Sequence, residues 1–85
     1  MKEFKYTITD PEGIHARPAG ELVKAAKQFT STIKLTKDGK SGDSKKIFGI
    51  MGLAVKNGQE VTLTFEGEDE EAAYEAVSQF MKENM

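Results

Sequence analysis

The sequence predicts an α+β fold in the order βαββαβα: a four-stranded antiparallel sheet covered on one face by three helices. Two observations carry that prediction. Three segments alternate apolar and polar residues, so each has one face to bury. Two others repeat apolar residues at i, i+3, i+4 and i+7, the stripe of an amphipathic helix. Strands with a single apolar face need a cover, and helices gathered on one side of the sheet supply it.

The elements follow in order. "KEFKYTIT" puts Phe4, Tyr6 and Ile8 on one face and Lys5, Thr7 and Thr9 on the other. "DPEG" then breaks the strand with turn chemistry. From Ala16 to Phe29 the period becomes helical, through Ala19, Leu22, Val23 and Ala26. Pro18 falls in the first turn, where a missing N–H costs little, and this places His15 at or beside the N-cap. "STIKLT" alternates through Ile33 and Leu35, and "KDGK" reads as a hairpin turn. The return strand "KSGDSK" is weak, because Gly42 and Ser44 bring no apolar payload. Residues 47–53 form a short apolar helix, ended by "KNGQ". "EVTLTFE" is the last strand, with Val61, Leu63 and Phe65 inward. Asp69 to Asn84 is a helix with an acidic first turn that suits its dipole, and Ala73, Ala76, Val77 and Phe80 form its expected buried stripe.

Composition narrows the function. Eighty-five residues make one small domain, 1–85, with a modest core. A formal net charge of −2 argues against general nucleic-acid binding. No cysteine is present, which excludes disulfides, thiolate metal sites and a cysteine nucleophile. With a single histidine, any metal site would rest on carboxylates alone otherwise, so none is expected. Neither a signal peptide nor a membrane span is visible, and a cytoplasmic monomer or weak oligomer is expected.

The lone histidine sits in "GIHARPAG", residues 13–20. At a helix start it faces free backbone N–H groups, those of Ala16 and Arg17, while Pro18 has none to give. Such groups and the positive end of the dipole bind anions, phosphate above all. The same field disfavours the imidazolium and keeps the ring nucleophilic. Arg17 adds a guanidinium fork for phosphoryl oxygens. Gly13 permits a sharp turn and is expected to leave one side of the ring open. These parts suit a surface histidine that accepts a phosphoryl group and passes it on.

"GIHARPAG" and "KKIFGIMGLAVKNGQEVTL" together, at this spacing and over essentially the whole chain, resemble the two signature segments of the HPr family. HPr is the histidine-containing phosphocarrier of the phosphoenolpyruvate-dependent sugar phosphotransferase system. The resemblance implies an open-faced β-sandwich that works without cofactors. It implies that His15 takes phosphate on Nδ1 from phosphorylated enzyme I and gives it to IIA components of sugar permeases. Arg17 would stabilise the transferring charge and Pro18 would shape the helix start. Gly20, Lys24 and Lys27, on the solvent side of the first helix, match positions that contact enzyme I.

A carrier of this kind needs an apolar docking patch. Ile47, Phe48 and Met51 lie on one face of the short helix, with Ile50, Leu53 and Ala54 toward the other. The first set is the expected recognition surface, and methionine adapts well to more than one partner.

Three features depart from the family pattern. Many relatives carry a kinase-regulated serine just before the short helix, where this chain has Lys46. Lysine accepts no phosphate and is a poor N-cap, and Ser41 and Ser44 read as ordinary turn or edge hydroxyls, so serine-kinase regulation is expected to be absent. Glu12 lies three residues before His15; beside the ring it would repel an incoming phosphoryl group, and in an exposed loop it is expected to point into solvent. The strand at residues 41–44 is expected to be locally unstable. Other classes stay open: an HPr-like regulatory or interaction module, a carrier in a specialised non-sugar phosphotransfer chain, or an unrelated small α/β binding domain.

Overall fold

The computed structural model describes all residues from Met1 to Met85. The elements are β1 (Lys2–Thr7), α1 (Ala16–Ala26), β2 (Thr32–Lys37), β3 (Lys40–Asp43), α2 (Ile47–Met51), β4 (Glu60–Glu66) and α3 (Glu70–Asn84). The strands form one four-stranded sheet in the order β1-β4-β2-β3, and every pairing is antiparallel. The predicted fold class is therefore the observed one.

Register explains which face is covered. Phe4, Leu63, Leu35 and Gly42 lie opposite one another across the sheet, on the helix side. The next row, Lys5, Thr62, Thr36 and Ser41, carries polar side chains on the open face. Helix α3 packs on β1 and β4, α1 packs against α3 and α2, and α2 covers β3. Between the layers, Leu22, Ile33, Leu35, Leu63 and Phe65 are fully buried, each such side chain contributing about 1.5–3 kcal/mol. Tyr74 ties α3 to the sheet, its ring edge-on to Phe4 and Phe65 at 6.1 and 5.7 Å between centroids.

The β2–β3 turn uses Asp38 at φ +52° and Gly39 at φ +81°, the pair of left-handed residues that matches strand twist in a tight hairpin. Helix α1 stops at Ala26, short of the predicted Phe29. Beyond it the Gln28 and Phe29 amides donate to Ala25 and Ala26, three residues back, and the last turn tightens away from α-geometry. In α3 the buried line is Ala73, Val77 and Met81, with Ser78 beside it, and Ala76 is exposed. The stripe advances by four residues per turn, so the predicted Ala76 falls off its edge. Ser78 tolerates burial because its hydroxyl donates to the Glu75 carbonyl at 3.2 Å.

Strand β3 lacks apolar side chains because α2 approaches its backbone directly. A Cβ on Gly42 would overlap the Gly49 carbonyl, and one on Gly49 would lie 2.8 Å from the Asp43 carbonyl oxygen. No helix is long and apolar enough to cross a membrane.

Candidate functional site

The site is the loop from Asp10 to Ile14 and the first turn of α1. Asp10 organises the loop: its carbonyl accepts the Gly13 amide at 2.9 Å and its Oδ1 accepts the Glu12 amide at 2.8 Å. Gly13 has φ +70°, and a Cβ there would run into the Val55 carbonyl and Lys56. The predicted sharp turn at Gly13 is present, and the close approach to Val55 and Lys56 is a second demand for glycine that the sequence did not show. Ile14 is buried and donates its amide to the Val55 carbonyl at 3.0 Å. The chain is thus clamped on the residue before His15.

His15 is the N-cap of α1, in extended backbone (φ −105°, ψ −176°), and its carbonyl accepts the Ala19 amide at 3.0 Å. Its side chain makes no capping hydrogen bond and is 38% exposed. The backbone therefore starts the helix while the imidazole stays free to react. The Ala16 and Arg17 amides donate to no group within the chain, and they head the helix dipole next to the ring. Pro18 is buried in the first turn, and Arg17 is exposed and forms no ion pair.

The surroundings of Nε2 correct one expectation and add a residue that the sequence reading missed. Glu12 is exposed, yet its Oε2 turns toward the ring, 3.6 Å from His15 Nε2. Asp10 Oδ2 lies at the same 3.6 Å from Nε2. The signal for Asp10 was present in "DPEG", since an aspartate that opens a turn folds its side chain back over the following residues. Both carboxylates thus lie on the Nε2 side of the ring.

On the solvent side of α1, Gly20 leaves open space where a Cβ would stand, Lys24 lies in the last turn, and Lys27 caps the helix end. On α2, Phe48 is 87% exposed, with Ile47 and Met51 at 38% and 37%, while Ile50 and Leu53 are buried. Ala54 departs from the predicted split: it is exposed, at φ +50°. Lys46 is the N-cap of α2, without a side-chain capping bond. Ser44 is fully buried and donates its amide to the Ile33 carbonyl at 2.9 Å, so its hydroxyl is closed to a kinase. The Ser41 hydroxyl is exposed and lies 2.8 Å from that of Thr36. The largest hollow, about 220 Å³, is lined by Thr32, Lys34, Ser41, Gly42 and Asp43 and holds no residue of the His15 loop.

A small open-faced sandwich that presents one histidine at an open helix N-terminus defines the phosphoryl-carrier class of protein. The comparisons agree. The family described as the PTS HPr component phosphorylation site matches residues 2–83. The phosphocarrier protein HPr of Lysinibacillus sphaericus is 47% identical over 83 residues, covering 98% of this chain and 94% of its own. The solved mycoplasma histidine-containing phosphocarrier protein superposes with a TM-score of 0.94 at 39% identity, covering 96% of this chain and 93% of its own. The HPr-like protein Crh of Bacillus subtilis is 42% identical over the whole of both chains, and its crystal structure, at TM-score 0.78, is a domain-swapped dimer covering 100% of this chain and 98% of its own. The chain belongs to the HPr family.

Proposed function

We propose that this protein accepts a phosphoryl group on His15 from phosphorylated enzyme I and passes it to IIA components of sugar permeases. The observation that carries the reading is the N-cap position of His15, whose side chain makes no capping bond and which is followed by the unpaired Ala16 and Arg17 amides. The His15 Nδ1 lone pair attacks phosphorus as the donor's P–N bond breaks. The two amides and the Arg17 guanidinium hold the phosphoryl oxygens, whose charge grows in the transition state. Delivery to IIA is the same exchange in the other direction. Ile47, Phe48 and Met51 form the docking patch, and Gly20, Lys24 and Lys27 extend it along α1 with positive charge that steers acidic partners.

On this reading the protein is a carrier and not an independent enzyme, because partner active sites complete each transfer. It needs no cofactor and works in the cytoplasm, as one domain spanning 1–85. Acceptor and docking patch both lie within one chain, which supports action as a monomer. Lys46 in place of the regulatory serine, with Ser44 buried, supports the absence of serine-kinase control.

The test is intact-protein mass spectrometry after incubation with phosphoenolpyruvate and enzyme I, with His15→Ala run alongside. One acid-labile phosphoryl group on the parent, absent from the variant, is expected. An unmodified parent beside a fully labelled control HPr would refute the reading.

A further inference from the structure

We propose that Asp10 and Glu12 act electrostatically on phosphoryl transfer through the Nε2 side of His15 and favour its phosphorylated state. The inference rests on the reading of His15 as the acceptor. Two carboxylate oxygens, Asp10 Oδ2 and Glu12 Oε2, each lie 3.6 Å from Nε2. Asp10 is held in place by three hydrogen bonds: its amide donates to the Met85 carbonyl, its carbonyl accepts the Gly13 amide, and its other carboxylate oxygen accepts the Glu12 amide. Gly13 and Ile14 in turn clamp the loop against Val55. The Asp10 carboxylate is therefore held by a fixed loop, and the exposed Glu12 side chain extends from that loop to the ring.

Their effect follows from the charge balance of the step. Attack by the Nδ1 lone pair forms the P–N bond while the Nε2 proton stays on the ring, so the imidazole becomes a cation as the donor's P–N bond breaks. Carboxylates beside Nε2 offset the cation, as a carboxylate stabilises the imidazolium in hydrolase triads. The phosphoryl charge lies beyond the opposite nitrogen, where Arg17 and the helix amides neutralise it. Attraction at the nearer nitrogen then outweighs repulsion at the farther one. When the phosphoryl group leaves, the ring returns to neutrality and the advantage is released.

Competition reads this balance directly. Parent and ¹⁵N-labelled Asp10→Asn/Glu12→Gln are mixed in equal amounts with catalytic enzyme I and limiting phosphoenolpyruvate, and mass spectrometry follows the phosphoryl group to equilibrium. The parent should hold about fivefold more of it, the size expected of an exposed ion pair. Glu12→Asp, which keeps the charge, should partition like the parent. Melting temperatures of all three confirm folding, and Glu12→Gln alone serves if the double variant is unfolded. Equal sharing, or a variant that holds more, overturns the proposal while His15 remains the acceptor. Label on neither chain overturns both readings.

Discussion

Lys46 is a single side chain whose cost to stability can be read from its position. It occupies the N-cap of α2 with no side-chain bond, and the Ile47 and Phe48 amides behind it donate to no group in the chain. A positive charge at that end also opposes the dipole. Lys46→Ser should therefore stabilise the protein by about 1 kcal/mol, raising Tm by about 4–8 °C. A melting curve that is unchanged or shifted down would contradict this. His15 and its neighbours were legible for a related reason: an N-cap position, a following proline and an arginine are local facts of sequence. The direction of Glu12 and the presence of Asp10 were not. They depend on how the loop folds back between Val55 and the ring, which involves residues about forty positions away in the chain.

Every element was legible in order, including the weak β3 and the short α2; what the sequence hid was the exact end of α1, the line of the α3 stripe and the reason β3 is poor in apolar residues. The alternation in β1, β2 and β4 survives because one face of each packs on helices and the other meets solvent. Strand β3 looks deficient in sequence, since a helix-facing position filled by glycine carries no hydrophobic signal. In the fold that position is where α2 needs backbone contact, and Gly42 and Gly49 remove side chains from both partners. The same closeness brings α2 down onto the sheet edge with Ile50 inward and Phe48 outward. In α3, the four-residue step from Ala73 through Val77 to Met81 was hidden by Ala76, an apolar residue on the exposed side.

At the scale of the whole molecule, Asp69 ties the start of α3 to the segment between α1 and β2. Its carboxylate accepts the Ser31 hydroxyl and the Thr30 and Ser31 amides, both amides at 2.9 Å. The Ser31 hydroxyl, followed by the Thr30 amide, draws its pKa from 3.8 down to about 2. A carboxyl lowered in the folded state stabilises the fold above its unfolded value, and that contribution fades as pH falls through the folded value. Asp69→Asn should accordingly be less stable than the parent at neutral pH, with the gap closing between pH 3.8 and about 2. Urea titrations across that range check it, and a gap independent of pH would show that the ionised carboxylate is not what matters. With α3 tied in this way to the segment before β2, the proposed role of His15 is the claim that remains to be tested on the whole molecule. The most direct test is heteronuclear NMR of ¹⁵N-histidine protein after phosphorylation by enzyme I and phosphoenolpyruvate. Phosphorus coupled to Nδ1 of His15 is the expected result; phosphorus on Nε2, or on any other residue, would contradict a site whose carboxylates guard one nitrogen and whose helix start serves the other.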